Sequence, residues 1–361
     1  MEALESNHQQ GDGPFTARAS KMVSNLVGGG HVLLTPSCTH ALEMASMLGN
    51  FGPGDEVILP SYTFTSAATA ITKFGATPVF VDIDPVTKGI DANQVADAVT
   101  DKTVAISWVN YAGIAPDIEA LQNISKAHNL LLIEDNAHGL GGSYKGKALG
   151  SFGDFATQSF HATKNIQCGE GGALIINNPK FIERAEIIRE KGTDRSRYIR
   201  GKVQKYQWVD KGSSYLLADI LAAQLLGNLE EFDLIQKNRS HYWKSFAKVL
   251  QSSNDNGIYR INRLEGEDKN TAHILYIEFN NTRLLQESQK RLSGKKISLQ
   301  KHYQPLHNSS AATKLRLESK YDFSNTLETS QKLCRIPLWS KMEEETITTV
   351  IEALSELQYL S

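Results

Sequence analysis

The sequence predicts an α/β protein in which a large domain of alternating strands and helices precedes a smaller α+β domain. Between residue 30 and about residue 190, short apolar runs alternate with helical patterns, which is typical of a doubly wound or related α/β sheet. After about residue 255 this alternation ends. The length of 361 residues suits one large and one smaller domain. We place the domains at 1–240 and 241–361.

Five apolar runs predict the strands of the large domain. Each run is apolar at successive positions, so we expect buried parallel strands with both faces covered. The runs span residues 57–59, 78–81, 104–106, 130–133 and 173–176. Helical patterns between and around them span residues 39–48, 65–74, 91–99, 117–128 and 179–191.

The second half of the chain predicts longer helices and then a different sheet. Apolar residues recur at helical spacing from Leu216 to Phe232, so residues 215–250 are expected to form one or two long helices. Residues 276–279 alternate like a half-buried strand. Helices near 283–292 and 343–357 are expected to pack on this strand.

The composition excludes several classes of protein. A net charge of −2 lacks the basic excess of a nucleic-acid binder. No apolar run approaches the ~18 residues of a membrane helix, and the first residues do not resemble a secretory signal. The three cysteines are widely spaced and form no C-x-x-C, which disfavours a disulfide scaffold or a zinc ribbon. We therefore predict a cytoplasmic enzyme with no membrane or nucleic-acid partner.

The common catalytic motifs are missing from the sequence. There is no G-x-G-x-x-G fingerprint, no phosphate-binding P-loop, no H-E-x-x-H and no G-x-S-x-G. His302 and His307 are separated by four residues without a nearby carboxylate or thiol, so we favour a polar loop there over a metal site. We predict no metal site in this chain.

Three other segments carry polar residues where α/β proteins place ligands. In the first, residues 35–42, Ser37 or Thr39 can cap the following helix, and a helix N-terminus also holds phosphate. In the second, an apolar strand runs into Glu134 and Asp135, at the strand end where open sheets bind ligands. A buried carboxylate there needs a cationic partner such as a protonated pyridine nitrogen.

The third segment contains a lysine between a predicted strand and a glycine-rich turn. Lys164 follows Ser159 and precedes Gly169, Gly171 and Gly172. A lysine that acts as a nucleophile or base must be partly desolvated, and glycines let the backbone approach a ligand closely. The three segments thus call for phosphate, an aromatic cation and a carbonyl group. Pyridoxal 5′-phosphate (PLP) contains all three.

Together these residues resemble a known family. Ser37 and Thr39, the sequence from Glu134 to His138, the sequence from Ser159 to Lys164 and the glycines at 169–172 are similar to the DegT/StrS family of PLP-dependent nucleotide-sugar aminotransferases. The similarity extends from about residue 11 to residue 339. It implies the type I aspartate aminotransferase fold, with a large mixed-sheet PLP domain and a smaller α+β C-terminal domain.

The resemblance implies a role for each residue at the reacting end of the site. Lys164 would carry PLP covalently and act as base and acid during amino transfer. Asp135 would pair with the pyridinium nitrogen, and His138 would lie near the phenolic oxygen of the ring. Phe64 would stack on the pyridine face.

The resemblance also implies how phosphate and substrate are held. The phosphate group would lie against Ser37, Cys38, Thr39 and Ser159. In the family, an asparagine of the neighbouring subunit completes this site, and Ser214 stands at the matching position here. A homodimer with shared active sites is therefore implied. His302 and Tyr303 match a segment that faces the nucleotide sugar.

The finer resemblance is to the transaminases that make dTDP-4-amino-4,6-dideoxy-D-galactose. It rests on residues 33–39, 182–193 and 212–216. It implies that L-glutamate supplies an amino group to C4 of a dTDP-linked 4-keto-6-deoxyhexose for surface polysaccharide synthesis. The residues leave open transfer at C3, a UDP carrier and a PLP-fold sensor without catalysis. A dehydratase, which has histidine in place of the lysine, ranks far lower because Lys164 is present.

Overall fold

The computed structural model describes residues 2–5, 8–262, 268–317 and 319–360, which form two main sheets with helices packed around them. The strands in chain order are β1 (His31–Thr35), β2 (Glu56–Pro60), β3 (Thr77–Val81), β4 (Thr103–Val109), β5 (Leu131–Asp135), β6 (Ser143–Tyr144), β7 (Lys147–Ala148), β8 (Phe155–Ser159), β9 (Gly172–Ile176), β10 (Tyr259–Ile261), β11 (Tyr276–Phe279), β12 (Gln300–Lys301) and β13 (Leu333–Arg335).

The helices account for most of the remaining described residues. In chain order they are α1 (Glu2–Glu5), α2 (Pro14–Leu26), α3 (Cys38–Leu48), α4 (Thr65–Thr72), α5 (Ala92–Ala98), α6 (Ile118–His128), α7 (Ile182–Arg189), α8 (Arg195–Ile199), α9 (Asp219–Glu230), α10 (Phe232–Ser252), α11 (Thr282–Ser293), α12 (Ser310–Leu315), α13 (Ser324–Lys332) and α14 (Glu344–Ser355). Short 3₁₀ turns cover Tyr111–Gly113, Pro179–Phe181, Leu306–Asn308 and Glu356–Tyr359.

The large sheet has seven strands in the order β1-β9-β8-β5-β4-β2-β3. The five predicted strands are all present in it, and α3, α4, α5, α6 and α7 confirm the predicted helices of this region. The apolar runs revealed neither β1 nor the bounds of β8, although a strand was expected just before Lys164. The strand β8 reads FATQS, which is too polar for an apolar run, yet all five of its residues are buried.

One predicted strand direction is wrong. Residues 173–176 were expected to run parallel to their neighbours, but β9 is antiparallel to both β1 and β8. The reason is the connection, because the loop from Phe160 to Gly171 leaves β8 and enters β9 at the same edge of the sheet. The sheet is therefore mixed, and this loop lies at the carboxyl ends of the parallel strands.

Both faces of the large sheet are covered by helices, which explains the continuous apolar runs. Alternate strand residues divide between two layers: Leu33 and Ile133 pack with α3, α4 and α7, whereas Val32 and Leu132 pack on the other side. On that second side the covering helices are α2 and α9 near β1, and α5 and α6 near the opposite edge.

The second sheet is antiparallel, in the order β10-β11-β13-β12. Its core is formed with α10, α11 and α14, so the predicted helices near 283–292 and 343–357 are confirmed. The expectation of a half-buried strand at 276–279 is wrong, because all four residues of β11 are buried. Ile277 and Phe279 face that core, whereas Tyr276 and Glu278 contact Tyr111 and Lys88 of the large-sheet region.

The stretch 215–250 forms the two helices α9 and α10. Helix α10 runs through the proposed 240/241 boundary: Phe232 and Ile235 pack beside the large sheet, and Trp243 and Phe246 belong to the small-sheet core. The division into 1–240 and 241–361 stays a prediction. Among the described residues, no helix is both long enough and apolar enough to cross a membrane.

Candidate active site

The predicted site residues converge at the carboxyl edge of the large sheet. Asp135 is the last residue of β5, Ser159 is the last residue of β8, and Lys164 lies in the loop that follows. Helix α3 begins at the same edge, directly after β1. Ligands of open α/β sheets bind at such strand ends, so the topology brings separate sequence motifs to one pocket.

The loop that carries Lys164 is held by its own backbone. Phe160 N–H donates to Gly171 O at 2.8 Å and Ala162 N–H donates to Gly169 O at 2.8 Å. Gly169 has a φ of +81°, which favours glycine. A side chain at Gly172 would meet the backbone of Ser37 at 2.3 Å, so only glycine lets β9 pass this close to the start of α3.

Lys164 lines a pocket together with His138, Ser159 and His273. Burial lowers the pKa of the Lys164 amine from its ordinary value of 10.5, and the positive charge of Arg335 acts in the same direction. The negative charge of Asp135 opposes both effects. A lysine with a lowered pKa supplies more neutral amine, which is the form that attacks carbonyl carbons and accepts protons.

Asp135 is buried and lacks a cationic partner within ion-pair distance in the described parts of the chain. Its Oδ1 accepts a hydrogen bond from the Ala137 backbone N–H at 3.0 Å. Burial raises the pKa of its carboxyl group, and the Ala137 N–H and the Lys164 charge partly offset that rise. A carboxylate in this position can bind a cationic group of a ligand.

The neighbouring carboxylate, Glu134, has a structural role. It is fully buried and accepts hydrogen bonds from the Gly150 N–H at 2.7 Å, the Phe152 N–H at 3.0 Å and the Asn110 side chain at 2.8 Å. Asn110 also donates to Asn136 at 3.0 Å. These bonds satisfy Glu134, so Asp135 is the carboxylate left available to a ligand.

His138 is a neutral ring in this pocket. Burial, reinforced by the charge of Lys164, lowers its pKa well below 6.5. The Ala112 backbone N–H donates to His138 Nδ1 at 3.3 Å, so the ring proton lies on Nε2, 3.4 Å from the Tyr303 hydroxyl. His138 can therefore donate a hydrogen bond to an oxygen in the pocket.

The start of α3 provides the features of an anion site. Ser37 is the N-cap, and its hydroxyl accepts from the His40 N–H at 3.2 Å. Thr39 Oγ1 lies 2.6 Å from Ser66 Oγ, and Cys38 Sγ lies 3.5 Å from Thr157 Oγ1. Burial raises the pKa of the Cys38 thiol, so it stays protonated. The N-terminal amides of a helix favour a bound phosphate.

His302 and Tyr303 lie beside His138 at the same site. The His302 and His138 rings are nearly parallel with centroids 5.9 Å apart, and His302 Nδ1 lies 2.7 Å from the Tyr111 hydroxyl. The Tyr303 ring lies 6.4 Å from His138 and 6.3 Å from Phe64. Burial lowers the pKa of His302 to about 2. His307 has a different partner, because its Nδ1 lies 2.6 Å from the Ser61 hydroxyl.

Two predicted cofactor residues are exposed in the single chain. Phe64 is 56% exposed and reaches the pocket through its contact with Tyr303. Ser214 is exposed and pairs with Glu190 in an isolated bridge. The described contacts of Ser214 do not bring it to the pocket of its own chain.

Sequence reasoning missed Tyr111, His273 and Arg335. The His273 ring lies 4.5 Å from the His138 ring, and His273 Nδ1 lies 2.8 Å from Asn165 Oδ1. The Nε of Arg335 is buried without a hydrogen-bond partner in the described ranges. None of these residues lies in a recognisable motif. Their one shared signal is a polar side chain in or next to a strand or turn that borders the site.

The groups gathered at this sheet edge match PLP in their chemistry. They include an amine of lowered pKa, a buried carboxylate without a cationic partner in the described chain, a neutral histidine donor, a helix N-terminus and an exposed aromatic ring. Those groups match the aldehyde, pyridine nitrogen, phenolic oxygen, phosphate and ring face of that cofactor. Fold and site together define a PLP-dependent enzyme of the type I fold.

Comparison with known proteins gives the same class. The model of the DegT/DnrJ/EryC1/StrS aminotransferase family matches residues 1–355. An uncharacterized protein of Methanocaldococcus jannaschii is 30% identical over 356 residues, covering 96% of this chain and 90% of its own. The spore coat polysaccharide biosynthesis protein SpsC of Bacillus subtilis is 29% identical over 363 residues, covering 99% and 92%.

A solved structure extends the comparison to three dimensions. The PMP form of a putative sugar aminotransferase, Spr1654 of Streptococcus pneumoniae, superposes with a TM-score of 0.88 at 25% identity, covering 99% of this chain and 95% of its own. The chain belongs to the DegT/DnrJ/EryC1/StrS aminotransferase family. It is an aminotransferase, and its cofactor is PLP.

Proposed function

We propose that this aminotransferase moves the amino group of L-glutamate to C4 of a dTDP-linked 4-keto-6-deoxyhexose, for surface polysaccharide synthesis. The observation that carries the proposal is the Lys164 amine, which lines a pocket with His138 and has the Asp135 carboxylate as a charged neighbour. This set suits amino transfer rather than dehydration, for which related enzymes have histidine at the lysine position. The sugar is supported by the resemblance of residues 33–39, 182–193 and 212–216, and polysaccharide synthesis by the name of SpsC.

We assign the residues at the reacting end as the family resemblance implies. PLP, when bound, supplies the electron sink. The Lys164 amine moves a proton to and from the carbon that carries nitrogen, because burial favours its neutral form. Asp135 would keep the pyridine nitrogen protonated, and His138 would donate from Nε2 to the phenolic oxygen. Phe64 would cover the ring, and His302 and Tyr303 would face the sugar.

We further propose that phosphate binds Ser37, Cys38, Thr39 and Ser159, and that Ser214 completes this site across a homodimer. Support for the dimer comes from a patch of exposed apolar side chains near Ser214, since such patches mark interfaces. The patch consists of Tyr198, Ile199, Tyr206, Trp208 and Val209. A cytoplasmic location is part of the proposal and is supported by three cysteines that form no disulfide in the described chain.

The test is the visible absorption spectrum of the purified protein. We expect a yellow band that L-glutamate bleaches and that dTDP-4-keto-6-deoxyglucose then restores. The position and stereochemistry of the new amine in the product are read by NMR. A protein that takes up PLP but responds to no amino donor would contradict amino transfer and favour a sensor.

Two further arms test the substrate. A dTDP-linked 3-keto sugar tests transfer at C3, and a UDP-linked 4-keto sugar tests the nucleotide. If the 3-keto sugar restores the band and the 4-keto sugar does not, the C4 assignment is wrong. Restoration by the UDP sugar at equal or lower concentration would contradict the dTDP assignment.

A further inference from the structure

Asn110 is a fully buried residue that lies beside the end of β5. It is the first residue after β4, and its backbone N–H donates to Asp135 O at 3.1 Å. In the parallel ladder of these two strands, Val109 is the partner of Asp135. Asn110 therefore prolongs the ladder by one step, at the point where β5 brings Asp135 to the site.

The side chain of Asn110 binds both chain neighbours of Asp135. Its Nδ2 donates to Glu134 Oε1 at 2.8 Å and to Asn136 Oδ1 at 3.0 Å. Its Oδ1 accepts from the Trp108 indole N–H at 3.1 Å. An indole nitrogen can only donate, so this contact identifies the oxygen end of the amide. Both side-chain N–H groups are therefore committed, and this amide fork of Asn110 holds one residue on each side of Asp135.

The amide fork lies on the face of the sheet opposite the Asp135 side chain. Successive side chains of a strand point to opposite faces, so Glu134 shares a face with Asn136 and not with Asp135. Glu134 also accepts from the Gly150 N–H at 2.7 Å, and Asn136 Nδ2 donates to Gln158 Oε1 of β8 at 3.1 Å. The fork thus joins the ends of β4, β5 and β8 from behind the site.

The Asp135 carboxylate has few contacts of its own that fix its direction. The Ala137 N–H donates to it at 3.0 Å, and no cation in the described ranges lies within ion-pair distance. The position of the carboxylate therefore depends on the backbone from Glu134 to Asn136, which the amide fork holds. Displacing a group at a reacting centre by about 1 Å can cost about 10²-fold in rate.

We propose that Asn110 is a positioning residue that aligns the Asp135 carboxylate with the pyridine nitrogen of PLP. The inference rests on the role proposed for Asp135, and it adds a residue that acts from the opposite face of the sheet. The alternative is a structural role, because a satisfied buried network also stabilises a fold. A structural contact would affect stability alone, whereas a positioning residue also affects the protonation of the cofactor nitrogen.

The first measurement is bleaching of the complete, PLP-loaded protein by L-glutamate, followed in a single turnover. Asn110→Leu keeps the approximate size of the side chain and removes all of its hydrogen bonds. The bleaching rate of this variant at saturating L-glutamate should fall by about 10- to 100-fold. The concentration of L-glutamate that half-saturates bleaching should change by less than about twofold, because Asn110 acts from behind the site and not on the amino donor.

The second measurement reports on the cofactor nitrogen directly and requires no turnover. When the protein is loaded with PLP that carries an isotope label at the ring nitrogen, the nitrogen chemical shift shows how far this atom is protonated. We expect the parent protein to give the protonated signal and Asp135→Asn to lose it. Asn110→Leu should lie between the two, because it retains the carboxylate but no longer holds it in line.

A double variant separates a positioning role from a structural one. If Asn110 acts through Asp135, adding Asn110→Leu to Asp135→Asn should lower the rate by less than about twofold further. A structural disturbance would instead multiply the two losses. The matched control is Asn262→Leu at a buried asparagine directly after β10, whose side chain joins Ile274 O and the Tyr276 N–H. It should leave both measurements unchanged.

Asn136→Ala keeps the inference testable if Asn110→Leu does not fold. It removes one of the two bonds of the amide fork, so both changes should appear in smaller form, about 3- to 10-fold in rate. A parent-like rate and nitrogen signal in a folded fork variant would overturn the inference. Multiplied losses in the double variant would overturn it as well, in favour of a structural role.

These outcomes are distinguishable from failure of the proposed function. If Asp135→Asn keeps the protonated nitrogen signal, Asp135 does not pair with that atom, and the roles given to both residues are wrong. If Asp135→Asn loses the signal and the fork variants keep it, the role of Asn110 alone is wrong. Neither measurement uses a keto sugar, so an error in the sugar or its carrier changes neither result.

Discussion

The chain buries Lys88 and partly buries Lys164, and it surrounds the two lysines differently. Lys88 has a side chain only 2% exposed and is bonded to both oxygens of Glu278, which Arg260 also binds. Lys164 has Asp135 and Arg335 as charged neighbours, but the described structure closes no ion pair among the three. Each cluster therefore contains a lysine, a carboxylate and an arginine, and the first is neutralised internally while the second is not.

This difference shows why burial alone does not mark a functional lysine. Burial lowers the pKa of both amines. For Lys88 the opposing charge and hydrogen bonds of Glu278 fix one arrangement, which ties β11 to the large-sheet region. Around Lys164, neither Asp135 nor Arg335 has an ion-pair partner in the described structure, so a ligand can supply the missing charges. The predictions below test this contrast, beginning with the largest effect.

Replacing Lys164 should have the largest effect on turnover. In Lys164→Ala the proton-transfer group is lost, so the rate of glutamate-dependent amination of the keto sugar should fall by at least about 10⁴-fold. The assay is product formation followed by NMR or chromatography. The control is Lys145→Ala, at an exposed lysine paired with Glu119, which should keep full activity. Normal turnover by Lys164→Ala would contradict the assignment of Lys164 as the proton-transfer group.

Replacing Asp135 should reduce the rate while leaving the fold intact. Asp135→Asn preserves shape but removes the charge that pairs with the pyridine nitrogen, so turnover should fall by about 10²- to 10³-fold. Burial already raises the pKa of this carboxyl group, so removing its charge should not lower the free energy of unfolding of the cofactor-free protein. Near-normal turnover would show that Asp135 does not face the pyridine nitrogen.

The matched change in the cluster of Lys88, Glu278 and Arg260 should lower stability and leave turnover unchanged. Glu278→Gln leaves Lys88 buried without its counter-charge, so the free energy of unfolding should fall by about 3–5 kcal/mol. Urea unfolding at neutral pH measures this loss. Turnover of the folded fraction should stay unchanged, because Glu278 binds Lys88, Arg260 and Thr329 and contacts neither Lys164 nor Asp135. A large rate loss in a stably folded Glu278→Gln protein would contradict the distinction between the two clusters.

The sequence was informative where a site residue stands at the end of an expected strand. Asp135 ends β5, which an apolar run predicts, and Lys164 follows β8, a strand that was expected there without bounds, so position along the chain already implies position at the sheet edge. Ser37 follows β1, which no apolar run revealed, and was found as a helix cap instead. Tyr111 stands two residues after the end of β4 and has this signal, whereas Arg335 and His273 do not. They come from distant parts of the chain and reach the pocket only because the second sheet packs against the first.

The fold shows the same division between local and distant information. Apolar runs revealed the strands whose faces are covered by helices, but they did not reveal β8, which contains buried polar residues that bond to neighbouring segments: Gln158 Oε1 accepts from Asn136 Nδ2, just after β5, at 3.1 Å. The antiparallel direction of β9 depends on where a twelve-residue loop returns, which no short pattern encodes. Full burial of β11 required knowing that both of its faces meet another layer.

The smallest predicted effect concerns pH and the cofactor-free protein. The pKa of Lys164 lies below 10.5 in the folded chain and near 10.5 in the unfolded chain, so between these values the unfolded chain binds more protons. Stability should therefore rise with pH through this window. Lys164→Met lacks the group, so at pH 7 it should be more stable than the parent, by about 1.4 kcal/mol for each unit of pKa lowering.

Unfolding by urea at pH 7 and above pH 10.5 measures this difference, which should shrink as the parent lysine loses its proton in both states. Lys102→Met, at an exposed position, is the control and should give no gain at pH 7. A Lys164→Met protein that is less stable than its parent at pH 7 would mean that Asp135 compensates the buried amine fully. The charges around Lys164 would then be neutralised internally, like those around Lys88, and unpaired charge could not explain why the ligand binds there.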